Sequence, residues 1–305
     1  MSPSAPDILC IGGIHWDVIG YCDGPLPRGS DRPGHIRRRP GGVAFNLAVA
    51  LARHGLRPAL LGATGDDASA DGLMEACRDA GIDTRHLHRA PGRSSDSYMA
   101  IEAGGRLVAA LADTGTLDCA GEAVLAPLRD GRLARPGAPW TGTAVIDGNL
   151  SAALLGQIAT GPILAAADLR LVAASDGKAA RLAGLTAHQR VTLYLNRAEA
   201  GVLLGRLPAD APDAAGALAA AGWRAVLVTD GARAAAFAAD GALHVARPRR
   251  ARAVRVTGAG DVLVAAHVAA TLSGVAPDAA LRGAVDAAAA HVAAIPVQPA
   301  RETRP

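Results

Sequence analysis

Residues 144–159 read AVIDGNLSAALLGQIA, and residues 191–204 read VTLYLNRAEAGVLL. Each is a short apolar run, then a polar turn, then a helical pattern. The unit recurs from residue 144 onward. Strands are expected at Ala144–Ile146, Ile163–Ala167, Val191–Leu195 and Val226–Val228. Helices are expected at Ala152–Ala159, Lys178–Ala183, Ala198–Leu204, Gly260–Leu272 and Ala279–Ala294. Alternation of this kind predicts a mostly parallel sheet buried on both faces. Right-handed crossovers then make a three-layer α/β/α sandwich.

The N-terminal part extends the scheme. Ile8–Ile11 reads as a buried strand closed by Gly12-Gly13, Ala44–His54 as a helix stopped by Gly55, and Ala59–Gly62 as a strand. Ala70–Ala80 reads as a helix stopped by Gly81. Two segments, about 14–40 and 92–113, break the alternation. The second alternates across Ser97–Leu111 around a Gly104-Gly105 turn. Together they predict a small β-sheet lid over a ligand site, within one domain spanning residues 1–305.

Composition excludes several classes. Of 31 basic side chains, 30 are arginine and one is lysine, Lys178. A P-loop and a protein-kinase strand each need a lysine at a position this chain fills otherwise. A net charge of +3 and eight aromatics argue against a nucleic-acid partner. No apolar stretch reaches the roughly 18 residues of a membrane helix, so no membrane partner is expected. Cys10, Cys22, Cys77 and Cys119 form no C-x-x-C pair, which fits free thiols in the cytoplasm. The nine histidines show no ligand spacing for a metal, and the basic runs 37–39 and 247–252 read as solvated faces, with Arg249 or Arg250 candidates for a phosphate neighbour.

Three glycine- or amide-bearing turns carry the chemistry. In Val256-Thr257-Gly258-Ala259-Gly260-Asp261, small residues run straight into an apolar helix. Free amides at such a start converge on one point and favour an anion there. A carboxylate in the first turn stands ready to take a proton. An ordinary N-terminal turn with a charge-favourable Asp explains the same residues. Gly41-Gly42-Val43-Ala44-Phe45-Asn46 also opens a helix, with an amide suited to sugar hydroxyls, or simply facing solvent. Asn196 and Glu199 share one helix face at a strand's C-terminal end, where open parallel sheets bind ligands. They read equally as a capped helix start.

In their order and flanks these stretches resemble the ribokinase-like (pfkB) carbohydrate kinases. The match covers Gly41–Asn46, Gly258–Asp261, the Asn-x-x-Glu pair Asn196 and Glu199, and the Thr-x-Gly turn Thr229-Asp230-Gly231. It implies an ATP-dependent kinase for a small-molecule sugar or nucleoside, with Asp261 as general base and Gly258, Ala259 and Gly260 cradling the moving phosphoryl. Asp17, Gly41, Gly42 and Asn46 would hold the sugar. Asn196, Glu199, Thr229 and Gly231 would serve the nucleotide, and Glu199 would reach Mg²⁺ through water. Gly20-Tyr21, Pro33–Ile36, Ser97-Tyr98, Asp147–Ser151 and Val256-Thr257 are most similar to pseudouridine kinases. That likeness implies a C-nucleoside phosphorylated at its 5′-hydroxyl, with Asn149 and, more weakly, Asp113 touching it. Ribose, adenosine, a keto-sugar or a non-catalytic binder are the alternatives.

The chain departs from the family at several points. His15 replaces an Asn, Ala234 a Gly, and Leu169-Arg170-Leu171 follows Asp168 in place of Asp-Pro-x-Ser. Arg255 stands where ribokinases carry an Asp near a monovalent cation; a guanidinium cannot ligate K⁺, which argues against potassium activation. The lid is long enough to pair two copies into a homodimer. Lys178 reads first as a surface residue at a helix start and second as a phosphate or nucleotide contact.

Overall fold

The computed structural model describes residues 5–104, 106–249 and 257–293. Gly105, Arg250, Arg255, Val256 and Ala294 lie outside the described residues, and with them the Gly104-Gly105 turn's second half and the potassium question. In chain order the first elements are β1 Ile8–Ile11, β2 His15–Cys22, β3 His35–Gly41, α1 Val43–Arg53, β4 Pro58–Leu61, β5 Ala63–Gly65, α2 Ala68–Asp79 and β6 His88–Ala90. Then come β7 Ser97–Ala103, β8 Arg106–Asp113, α3 Thr116–Ala120, β9 Thr143–Asp147, α4 Ala152–Thr160, β10 Asp168–Val172 and α5 Asp176–Ala179. The last are β11 Val191–Asn196, α6 Arg197–Leu204, α7 Ala211–Ala220, β12 Ala225–Thr229, β13 Ala235–Ala239, β14 Ala242–Ala246, α8 Ala259–Leu272 and α9 Pro277–Ala293.

The main sheet has eight strands in the order β14-β13-β12-β11-β10-β9-β1-β4. The six from β12 to β4 are parallel, and β13 and β14 add an antiparallel edge. Alternate residues of β1 feed opposite cores. Leu9 and Ile11 pack with Leu154, Ile158, Ala214 and Leu218, beneath α4 and α7. Ile8 and Cys10 pack with Leu47, Leu73, Leu263 and Leu281, beneath α1, α2, α8 and α9. Full burial of each such side chain contributes roughly 1.5–3 kcal/mol. The three-layer α/β/α sandwich is thus present, with helices on both faces.

One strand differs from expectation. The apolar run Ile163–Ala167 forms a turn, and β10 begins at Asp168. The strand admits a charge because Arg170 finds partners on the sheet. Its Nε and Nη2 donate to Asp168 Oδ2 at 3.0 and 2.7 Å, and its Nη1 donates to Tyr194 Oη at 3.3 Å and Thr192 Oγ1 at 3.4 Å. Tyr194 Oη lies 3.0 Å from His267 Nδ1 on α8. Burial, the largest effect on His267, pulls its imidazole down to about 3. Burial therefore favours the neutral, hydrogen-bonding ring.

The second sheet runs β3-β2-β7-β8. Asp17, Arg39, Tyr98 and Ala112 stand in one cross-strand row. The neighbouring row on the other face holds Val18, Arg38, Met99 and Leu111. That outer face is apolar and open: Ile36 is 79% exposed and Leu111 71%.

Candidate active site

The order of strands around β1 sets the position of the site. The chain moves from β1 outward to β4, then returns to β9 on the other side and continues to β12. The carboxyl ends of β1 and β9 therefore border a switch point, where open parallel sheets leave a crevice. Gly12-Gly13 follows β1 there, and Asp147-Gly148-Asn149 ends β9.

Asp147 is fully buried and knits this edge together. Its Oδ2 accepts the amide N–H groups of Gly13 at 3.0 Å and Ala44 at 2.9 Å, and its Oδ1 accepts that of Asn149 at 2.8 Å. Burial pushes its carboxyl up, and the three N–H groups pull it back. Glycines follow from this crowding. A Cβ on Gly12 would lie 2.2 Å from Asp147 Cγ, and one on Gly41 would lie 2.7 Å from the Asp17 carboxylate. Gly42 has φ +103°, and its Cβ would meet the Gly13 carbonyl oxygen at 2.3 Å. Asp17 itself is flanked by His15 Nε2 at 3.2 Å and Arg39 Nε at 3.4 Å.

Opposite the loop, α8 starts at Gly258, whose φ is +83°, with no side chain capping it. The first amides of the helix are left without intrahelical partners. Asn46 Nδ2 donates to Asp261 Oδ2 at 3.0 Å. Desolvation, partly offset by that bond and reinforced by the charge of Asp147, pushes the Asp261 carboxyl up to about 6. From α9, His291 Nε2 lies 3.0 Å from the Thr257 carbonyl oxygen and fixes the turn.

Three cavities meet around these groups. One of about 480 Å³ is lined by Gly13, His15, Asp17, Gly42, Asn46, Tyr98, Asn149 and Lys178, under the second sheet. A smaller one of about 150 Å³ is lined by Asn196, Glu199, Thr229, Gly260 and Asp261. The third, about 480 Å³, runs from Asp17 and Arg39 past Asn46 to Gly258, Asp261 and His291. Asp261 borders the second and third, and Asn46 and Asp17 border the first and third.

Asn196 and Glu199 form a reciprocal capping box on α6. Asn196 Oδ1 accepts the Glu199 amide at 2.9 Å, and Glu199 Oε2 accepts the Asn196 amide at 2.8 Å. Burial pushes the Glu199 carboxyl up. The capped start and the cavity wall are therefore the same two residues. The turn after β12 is tied to this helix, because Asp230 takes Arg197 Nε at 3.1 Å. Thr229 lines the cavity, and Gly231 turns the chain away at φ +59°.

The expected residues from three distant turns thus converge, and so do several not foreseen. Asp168 is not among them: it sits at the amino end of β10, paired with Arg170. The loop that reaches the site is the one after β10. There Ala174, at φ +69°, borders both the first and second cavities. Lys178 is neither fully exposed nor fully buried. Its Nζ donates to Asn149 Oδ1 at 2.5 Å, and it lies on the Asp17 side, not with Asn196 and Glu199. Arg249 pairs with Asp286 on α9 at 3.5 Å. Asp147 and His291 were missed as site builders; a carboxylate two residues before Asn149, at a strand end, was the available signal for the first.

The model of the pfkB family carbohydrate kinases matches residues 5–122 and 164–304. A carbohydrate kinase from Agrobacterium tumefaciens is 30% identical, with a TM-score of 0.77 over 92% of this chain and 89% of its own. Two curated proteins of Escherichia coli (strain K12) match in part. The uncharacterized sugar kinase YeiI is 36% identical over 93 residues, 30% of this chain and 26% of its own length. The pseudouridine kinase is 32% identical over 94 residues, 31% of this chain and 30% of its own length. The matched stretch thus spans less than a third of either curated relative.

Proposed function

Because the chain belongs to the pfkB family of carbohydrate kinases, we propose that it moves a phosphoryl group from ATP to the 5′-hydroxyl of a nucleoside, pseudouridine foremost. The observation that carries this reading is the meeting of Asn46 and Asp261 at the uncapped start of α8. A carboxylate near pH 6 in its titration can accept a hydroxyl proton at neutral pH. The amides of the Gly258-Ala259-Gly260 turn stabilise charge on the phosphoryl as it moves. Asp17, Gly41, Gly42, Asn46 and Asn149 hold the sugar side. Asn196, Glu199, Thr229 and Gly231 serve the nucleotide side.

The donors facing the nucleotide side are hard oxygens, which suits Mg²⁺. Two of them are engaged in the capping box, and among the described residues no cluster of three His, Cys, Asp or Glu could hold an ion alone. An ion bound with the phosphates would be held at Glu199 through water. Magnesium, when bound, offsets charge on the phosphates.

The pseudouridine assignment is supported by the partial likeness to the E. coli enzyme and by Asn149 in the cavity of Asp17. A free sugar as acceptor has the likeness to YeiI on its side. The whole chain, residues 1–305, works as one cytoplasmic kinase domain whose lid, about 14–40 and 92–113, closes over the acceptor. The apolar outer face of the lid, with Ile36, Met99 and Leu111, fits pairing with a second copy. Among the described residues no helix is long and apolar enough to cross a membrane. The test is ADP release and phosphorylated product with Mg-ATP and pseudouridine, uridine, adenosine or ribose. Absence of product from all four, in folded protein, overturns the nucleoside and ribose readings.

A further inference from the structure

The chain's single lysine sits at one end of the cavity that holds Asp17, and its surroundings are one-sided in hydrogen bonding. Lys178 Nζ donates to Asn149 Oδ1 at 2.5 Å, which uses one ammonium hydrogen and occupies the amide's acceptor. Asn149 is itself fixed, since its backbone N–H is held by Asp147 at 2.8 Å. The groups that line the cavity here are the Asn149 Nδ2, which also reaches Asp147, the remaining ammonium hydrogens of Lys178, and the guanidinium of Arg181, whose Nη1 donates to the Leu150 carbonyl oxygen at 3.3 Å. Every one of these is a donor. The carboxylates that line the same cavity come from other elements: Asp17 from β2, engaged by His15 and Arg39, Asp118 from α3, and Asp96, whose Oδ1 takes the Thr116 amide.

We propose that Lys178, held by Asn149 and seconded by Arg181, is the specificity residue of the acceptor site: it selects a substrate whose end remote from the reacting hydroxyl carries carbonyl oxygens, such as a pyrimidine dione base. A base with an exocyclic amine at that edge presents donor to donor and leaves both unpaired. Sites built around buried hydrogen-bonding groups discriminate strongly for this reason. This inference rests on the nucleoside-kinase reading and deepens it. It also gives Lys178 a place on the sugar side, away from the phosphates.

Uridine and cytidine differ along one edge, at C4 (carbonyl against amine) and at N3 (donor against acceptor), so the pair tests that edge as a whole. In wild-type protein, kcat/KM for uridine and pseudouridine exceeds that for cytidine by about 10–100-fold. In Lys178→Met that preference falls to within about threefold, mainly through KM, with the melting temperature preserved. In Lys178→Glu, which replaces a donor with acceptors, cytidine gains on uridine. A preference that survives in both variants, or a wild-type protein indifferent between uridine and cytidine, overturns the inference. Turnover of ribose with no nucleoside accepted also overturns it, while leaving the kinase reading intact. If wild type phosphorylates none of these, the nucleoside-kinase reading fails alone. Calorimetric binding of uridine and cytidine to wild type and Lys178→Met then decides the subsite without catalysis: a preference lost in the variant sustains it, and equal binding ends it.

Discussion

The side-chain amide of Asn46 donates to Oδ2 of Asp261 at 3.0 Å, joining the first turn of α1 to the first turn of α8 across 215 residues of chain. In Asp261→Asn the oxygen that receives this bond remains while the base is lost. Turnover is expected to fall 10²–10⁴-fold with an unchanged circular dichroism spectrum, the usual cost of losing a positioned general base. A variant that turns over near the wild-type rate removes Asp261 from the mechanism.

The acid limb of the activity profile follows from the same carboxyl. Asp261 is neutral below about pH 6 and ionised above it, so kcat/KM rises through that value and then levels. The Asn46 bond favours the ionised form. Asn46→Ala is therefore expected to move the limb to higher pH, besides any loss in rate. A limb that stays in place or moves to lower pH contradicts the coupling.

Stability carries the opposite sign. A carboxyl raised from 3.8 to about 6 is held more comfortably as the neutral acid, so its contribution is full below the unfolded value and lost as pH rises through about 6. Asp261→Asn should accordingly gain about 1–2 kcal/mol relative to wild type at pH 8, after allowance for partial exposure, and little at pH 4. Urea unfolding at the two pH values measures the difference.

Asp147 offers a separate test because it accepts three buried or half-buried amides. Asp147→Ala leaves the N–H groups of Gly13, Ala44 and Asn149 without that acceptor, and about 3–5 kcal/mol of stability should go with it. A loss under 1 kcal/mol in denaturant titration would mean that the loop is held by something else.

Two glycines with positive φ should respond differently to alanine. Gly55 has φ +83° and open space around its missing Cβ, so Gly55→Ala costs only the left-handed backbone, about 1–2 kcal/mol. Gly42→Ala drives a Cβ into the Gly13 carbonyl and should cost clearly more, with acceptor affinity lost as well. Equal melting temperatures for the two variants would refute the close approach.

Most of the sandwich was legible because its strands are apolar runs and its helices end in glycine, as at Gly55 and Gly81. Strand β10 was misplaced by five residues, since Arg170 and Asp168 look wrong for a buried strand until their partners on β11 are known. The β13–β14 hairpin was missed because Ala-rich stretches carry weak strand preference. The convergence of Gly42, Asn46 and Gly258–Asp261 was implied by the family resemblance; local turn chemistry marks each turn only by itself. Lys178 and Asp147 depend on which strand ends lie side by side, and one-dimensional spacing does not reveal that.

A chain with one internal primary amine has a single side-chain address for acylating reagents, and here that address lines the cavity that also holds Asp17. An ester label that spares the terminus reports, by mass, whether the cavity is filled. Coupling to an amine-reactive resin has the reverse consequence: molecules attached through Lys178 are fastened by the wall of that cavity, so a surface-based binding assay on this protein is best anchored by another chemistry.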